Sequence, residues 1–264
     1  MAEIGELLEI MAMLRDPEHG CPWDRQQTLG SLLSHTLEEA YELVDAVSAG
    51  DDESICDELG DLLFQVVFYS RIAEEQGRFG FTDVVAAIVD KLVRRHPHVF
   101  ADEQIHDAEE QAQAWEQHKQ RERQMRGETD RSPSVLDGVT MGLPALTRAV
   151  KLQRRAARVG FDWPDMSAVL DKVQEELDEV RQEIANGAPA GPMLHEIGDL
   201  LLAASNLARY AGVDPEIAVH AANRRFDRRF RYVEELCRLQ GVAPDHCTLE
   251  ELENFWQLAK QNEV

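Results

Sequence analysis

A chain of 264 residues with 50 acidic and 27 basic side chains carries a formal charge of −23, so nucleic-acid polymers and anionic membranes would repel it. Its 44% hydrophobic content is enough for a core in each of two domains, and no apolar run approaches the ~18 residues of a membrane span. Cys21, Cys56, Cys237 and Cys247 form no C-x-x-C. Reduced thiols in a cytoplasmic protein are therefore expected, although Cys237 and Cys247 could pair on spacing alone.

The opening M-A-E-I-G-E-L-L-E-I is acidic and amphipathic, unlike a secretion signal, and predicts a short helix over residues 3–14. A turn-rich stretch with Pro17, Gly20 and Pro22 follows. Helices are expected over 28–49 and 53–76, with Gly77 and Gly80 breaking the pattern. Another is expected over 82–95, ending before Pro97, whose preceding residue disfavours helix. From Ala101 to Ser134 the chain turns highly polar. Its first part can be a helix leading out of the first half, and the part from Gly127 to Pro133 reads as a flexible linker. The expected domains are therefore 1–126 and 135–264, joined by a linker over 127–134. No segment shows sustained strand alternation, and the fold is read as all-α.

The second half opens with a helical stretch ending in V-G-F-D-W, which echoes the earlier C-P-W-D-R-Q-Q. Packing is the expected role of Trp23 and Trp163. Leu170, Val173, Leu177, Val180 and Ile184 then mark one helical face, with Lys172, Glu176, Glu179 and Glu183 along its flank. A loop with Asn186, Gly187, Pro189, Gly191 and Pro192 leads to a second helix, where Glu196 and Asp199 share the flank of a stripe formed by Leu194, Ile197, Leu201 and Ala204. Pro215 can start the next helix, which carries Arg224, Arg225, Arg228, Arg229 and Arg231. These arginines either pair with local glutamates or capture phosphate, for which the guanidinium fork is suited. Lys91, Arg94 and Arg95 occupy the corresponding region of the first half. A terminal amphipathic helix opens on a Thr248–Glu251 capping box. It carries Trp256 and Lys260 four residues apart, fit either for core packing or for base stacking beside a phosphate.

Two antiparallel helices joined by a short loop bring Glu176, Glu179, Glu196 and Asp199 together. Converging carboxylates repel one another unless a hard cation sits among them, and oxygen-only ligation points to Mg²⁺, with Mn²⁺ as the alternative. One E-E-x-x-E alone is usually a solvated helix face. Here the motif occurs twice. Glu38, Glu39 and Glu42 match Glu175, Glu176 and Glu179, and Glu58 and Asp61 match Glu196 and Asp199. The interval from Glu42 to Glu58 is 16 positions and that from Glu179 to Glu196 is 17, each followed by G-D-L-L. A solvated face has no reason to repeat spacing, loop length and sequel together, which points to an internal duplication.

Clustered carboxylates with nearby Arg and Lys suit phosphate-ester or anhydride hydrolysis by water. There is no P-loop or Rossmann fingerprint and no recognisable Ser or Cys nucleophile motif. A di-iron bundle would need two E-x-x-H motifs, and only Glu103–His106 fits. A noncatalytic helical binding protein or regulator is the rival reading, since acidic helices also serve interfaces.

The duplicated E-E-x-x-E and E-x-x-D, with C-P-W-D-R-Q-Q-T, R-R-H-P-H-V-F, V-G-F-D-W and N-x-x-F-x-R-R-F, resemble the two-domain MazG-type nucleoside triphosphate pyrophosphohydrolases over nearly the whole chain. The resemblance implies tandem all-α domains, each a helical bundle completed in a homodimer. It also implies Mg²⁺-dependent cleavage of nucleoside triphosphates to monophosphate and pyrophosphate with broad base tolerance, and a role in nucleotide housekeeping or stress response. Carried over by motif, Glu176, Glu179, Glu196 and Asp199 are the metal ligands, and Lys172, Arg225, Arg229, Trp256, Lys260 and Lys119 hold substrate. The family often has Lys where Arg225 stands. Glu39, Glu42, Glu58 and Asp61 form a second, weaker site, because His35 stands where Lys172 would be and no aromatic tail follows.

Overall fold

The computed structural model describes residues 3–101, 134–187 and 189–262. The chain divides into two compact units, Met1–Asp130 and Arg131–Val264. Among the described residues every regular element is helical. Residues 127–133, Lys119, Glu103 and His106 lie outside the described residues.

In the first unit the helices are α1 (Ile4–Leu14), α2 (Pro22–Gln26), α3 (Leu33–Ala49), α4 (Asp52–Glu75), α5 (Phe81–Arg95) and the single turn α6 (Pro97–Phe100). α3 begins at Leu33 rather than at the expected residue 28. Side chains explain the delay: Thr28 N donates to Ser31 Oγ and Ser31 N to Thr28 Oγ1, so the backbone finds partners outside a helix. Gly50 ends α3 with φ +73° while its N–H caps the Ala46 and Val47 carbonyls, a left-handed stop that suits glycine. Asp51 then caps α4 by accepting from Glu53 N, so α3 and α4 form a tight hairpin.

α1 lies against the C-terminal half of α4. Met11, Leu32, Val67, Phe68 and Ile72 make the buried core there, with Leu7, Leu8, Phe64 and Phe81 around it. Arg15 ties this end together. Its side chain is nearly buried, pairs with both Glu75 oxygens, and donates to the carbonyls of Asp24 and Gln27.

In the second unit the helices are α7 (Ala145–Ala157), α8 (Met166–Ala185), α9 (Ala190–Tyr210), α10 (Pro215–Leu239) and α11 (Leu249–Gln261). Gly191 and Pro192, expected in the loop, lie in the first turn of α9. A proline there removes an N–H that has no partner within the helix in any case. α8 and α9 form a hairpin like that of α3 and α4, and α7 packs on α9 through Gln153 Nε2, which donates to the Leu202 carbonyl at 2.9 Å. Pro215 starts α10, with Asp214 as its cap. α11 opens on the expected Thr248–Glu251 capping box and packs on α10 through Val233, Cys237 and Phe255. The Cys237 and Cys247 sulfurs lie 3.7 Å apart, both free.

The apolar stripes of both hairpins face outward. Leu194 is 73% exposed and Leu201 52%, while Glu176 is only 5% exposed. Leu33, Leu37, Leu59 and Leu63 are likewise exposed in the first unit.

The Arg15–Glu75 contact gives a pH-dependent term. The hydrogen bond from Arg15, with further help from Arg71, holds the Glu75 carboxyl below the usual glutamate range. A depressed carboxyl contributes its stability above the unfolded value of about 4.3 and loses it as pH falls through the folded value. Glu75→Gln should therefore lower the melting temperature at pH 7, and the gap from wild type should be narrower at pH 3. A gap of equal size at both pH values would show that the ion pair is not what the substitution removes.

Candidate metal centre

The α8–α9 hairpin carries its carboxylates on facing sides. Oxygens of Glu176 and, from α9, Glu196 and Asp199 lie within 4.8 Å of one another. The α3–α4 hairpin repeats this with Glu39, Glu58 and Asp61, to the same limit. Glu179 and Glu42, the remaining residues of the two expected sets, fall outside these close triads but act on them through their charge. The Glu179 carboxyl is pushed up by burial and then by Glu176 and Glu196. Glu39 is raised by burial and then by Asp61, Glu42 and Glu58. Burial followed by Glu42 and Asp61 does the same to Glu58.

Glu176 is the most constrained member. Its Oε1 meets Lys172 Nζ at 2.8 Å, whereas its Oε2 is buried with no hydrogen-bond partner. An unpaired buried carboxylate oxygen is costly, and a cation is the partner that the surrounding oxygens also suit. The donor set is carboxylate only, which fits a hard divalent ion. Lys172 also reaches Glu175 at 2.8 Å. These hydrogen bonds, that of Glu175 first and that of Glu176 next, hold its ammonium above the ordinary lysine value, so it stays charged at neutral pH. In the first unit His35 occupies this place, its Nδ1 3.6 Å from Glu38 Oε2.

The other expected substrate residues form a separate cluster. Trp256 on α11 packs against Phe226 on α10, with ring centroids 5.3 Å apart, and Phe226 stacks on Phe230. The Arg229 guanidinium lies 5.8 Å from the centre of the Trp256 ring. Arg225 is one helical turn from Arg229 on α10, and Lys260 is exposed one turn beyond Trp256. The cavity beside the second triad is lined by Lys172, Glu176 and Asp199, but by none of Arg225, Arg229, Trp256 or Lys260.

Other residues of that cavity were given a different role by the sequence or none. Trp163 is not buried packing; it is 41% exposed and lines the cavity. Its carbonyl accepts from Tyr210 Oη, and its neighbour Asp162 pairs with Arg209. Burial would raise the Asp162 carboxyl, but hydrogen bonds led by those from Arg209 outweigh it and hold the carboxyl low. Asp162 stands in the V-G-F-D-W motif, whereas Arg209, 47 positions later, belongs to no motif. No helix among the described residues is long and apolar enough to cross a membrane.

The family profile of the MazG nucleotide pyrophosphohydrolase domain matches residues 27–100, a stretch that includes Glu39, Glu42, Glu58 and Asp61. The chain is 48% identical to a nucleoside triphosphate pyrophosphohydrolase of Escherichia coli K12, over 100% of this chain and 99% of that one. It is 39% identical to the nucleoside triphosphate pyrophosphohydrolase/pyrophosphatase MazG of Thermotoga maritima, over 97% and 94%. It is also 41% identical to the uncharacterized protein YabN of Bacillus subtilis, over 99% of this chain and 52% of that one.

The raised carboxyls predict a linked effect of pH and metal. In a metal-free fold, a raised carboxyl disfavours its ionised form, so stability falls as pH rises from the unfolded value through the folded one. A cation reverses this, and protons compete with it. Mg²⁺ at a hundred times its dissociation constant should add about 2.7 kcal/mol. The gain in melting temperature over a chelator control should be larger at pH 7 than at pH 5, and smaller in Glu176→Gln. Equal melting temperatures with and without Mg²⁺ at both pH values would argue against a cation at these carboxylates.

Proposed function

The chain belongs to the MazG nucleotide pyrophosphohydrolase family, and we propose on that footing that it cleaves nucleoside triphosphates between the α and β phosphates, giving monophosphate and pyrophosphate. The second unit is the principal catalyst and Mg²⁺ its resident cation, with Mn²⁺ as the substitute. The observation that carries this reading is Glu176, a buried carboxylate with one oxygen on Lys172 and the other without a partner, inside a carboxylate triad.

Glu176, Glu196 and Asp199 would hold the cation, with Glu179 beside them. When bound, it supplies neutralising charge to the triphosphate and makes water more acidic. Lys172 keeps a fixed positive charge next to this group, where it can bind a phosphate oxygen and stabilise charge that develops on cleavage. Water is the nucleophile, since no serine or cysteine stands in a nucleophile motif.

Arg225, Arg229, Trp256 and Lys260 are assigned to substrate binding by the family pattern, and Arg229 beside Trp256 is consistent with a cationic, aromatic surface for a nucleotide. A homodimer would cover the outward faces of the hairpins. The outward apolar faces of α3, α4, α8 and α9 support this, because contiguous exposed apolar surface marks an interface. The duplicated hairpins are read as tandem family domains, 1–126 and 135–264, and the protein as a cytoplasmic enzyme of nucleotide housekeeping or stress response.

His35 in place of Lys172 makes the first unit the weaker site, which predicts unequal variants. Glu176→Gln or Asp199→Asn should cut Mg²⁺-dependent pyrophosphate release on the order of a hundredfold or more. Glu39→Gln and Asp61→Asn should keep most of it. Steady-state pyrophosphate release from all four folded variants decides this. Equal losses in both units would assign the chemistry to both sites, and release of inorganic phosphate with a diphosphate product would overturn the bond assignment.

A further inference from the structure

The chemistry above uses no cysteine. Cys21 and Cys56 belong to the first unit, whereas Cys237 and Cys247 meet in the second, their sulfurs 3.7 Å apart. Cys237 lies near the end of α10 and is fully buried against Val233 and Phe255. Cys247 stands just before Thr248, the cap of α11, and is only half-buried, so it is the member of the pair that a small molecule in solution can reach.

The pair sits where α11 is attached. Among the described residues α11 packs chiefly on α10. That attachment consists of the small core of Val233, Cys237 and Phe255, the Phe226–Trp256 ring contact, and a hydrogen bond from Asn262 Nδ2 to Tyr232 Oη at 3.2 Å. The sulfurs of a disulfide are about 2.05 Å apart, so an approach of roughly 1.7 Å would join this pair. The bond would tie the end of α10 to the start of α11 and restrict the unfolded chain between them. Neither cysteine lines the cavity beside the second triad, so the bond would not intrude on the carboxylates.

We propose that Cys237 and Cys247 form a reversible thiol–disulfide site, oxidised by a low-molecular-weight disulfide, that fastens α11 to α10 without stopping catalysis. Cys247, as its thiolate, attacks one sulfur of the reagent. A mixed disulfide forms, and the other half of the reagent leaves as a thiolate that takes up the proton Cys247 gave up. Cys237 then loses its proton and attacks the Cys247 sulfur, which releases the second half as a thiol. The protein gives up two electrons and two protons, and the reagent disulfide becomes two thiols. Burial first, and then the hydrogen bond with Cys237, hold the Cys247 thiol above its ordinary value, so the first step is slow at neutral pH. The bond itself does not depend on the triphosphate reading; only the retained catalysis does.

The test incubates the full chain with oxidised glutathione, with dithiothreitol as the reduced control. Arg238 lies between the two cysteines, so trypsin separates them unless a disulfide holds their peptides together. Mass spectrometry should find the Cys237 and Cys247 peptides linked after oxidation. The oxidised protein should melt about 5 °C above the reduced one and should retain its pyrophosphate release from ATP. Cys247→Ser, a change at the less buried position, should gain nothing from the oxidant, and Cys237→Ala should behave likewise. Glutathione left on Cys247 with no linked peptides would overturn the site. Linked peptides with an unchanged melting temperature, or with pyrophosphate release lost on oxidation and restored by dithiothreitol, would overturn the fastening role. Absence of pyrophosphate from both forms would instead count against the triphosphate reading, and the linked peptides would still decide the bond.

Discussion

The structure turns on the placement of like charges inside a helical hairpin. Three carboxylates of the second unit approach within 4.8 Å, and the most buried of them has an oxygen with no partner. Such an arrangement works against the fold unless a positive charge completes it. Lys172 supplies one, on one side only. The helices around the hairpin serve to hold this unfavourable group in place: α7 clamps α9 through Gln153 and Leu202, and the Asp162–Arg209 pair fastens the segment before α8 to the end of α9. A cluster that opposes local stability is thus held in place by its surroundings.

The two units carry the same carboxylate geometry but different company. His35 beside Glu38 stands where Lys172 bridges Glu175 and Glu176. As residue types, lysine is charged throughout the physiological range, whereas histidine changes its charge within it. If the first hairpin holds a cation, it offers the same carboxylates with one fewer fixed positive charge beside them. The family profile nevertheless matches this first unit, over residues 27–100.

Much of this was legible in the sequence, for physical reasons that can be named. The spacing of Glu175, Glu176 and Glu179 against Glu196 and Asp199 places carboxylates on facing flanks, so the convergence of Glu176, Glu196 and Asp199 was readable. The capping box at Thr248 and the proline at Pro215 made two helix starts readable as well. The outward orientation of Leu194 and Leu201 was not readable, since periodicity identifies a stripe without saying which surface covers it. Gln153 and Arg209 were invisible for another reason. Their roles depend on partners 49 and 47 positions away, and neither sits in a pattern that such contacts would imprint on the chain.

The central claim is that Glu176, Glu196 and Asp199 hold a divalent cation in contact with a triphosphate. The most direct measurement is anomalous scattering from crystals of the protein grown with Mn²⁺ and a triphosphate whose α–β bridge cannot be hydrolysed. The account predicts a manganese peak bounded by those three carboxylates, with phosphate oxygens among its other ligands and Lys172 near the phosphates. Triphosphate bound with manganese only elsewhere, the triad remaining without metal, would contradict it.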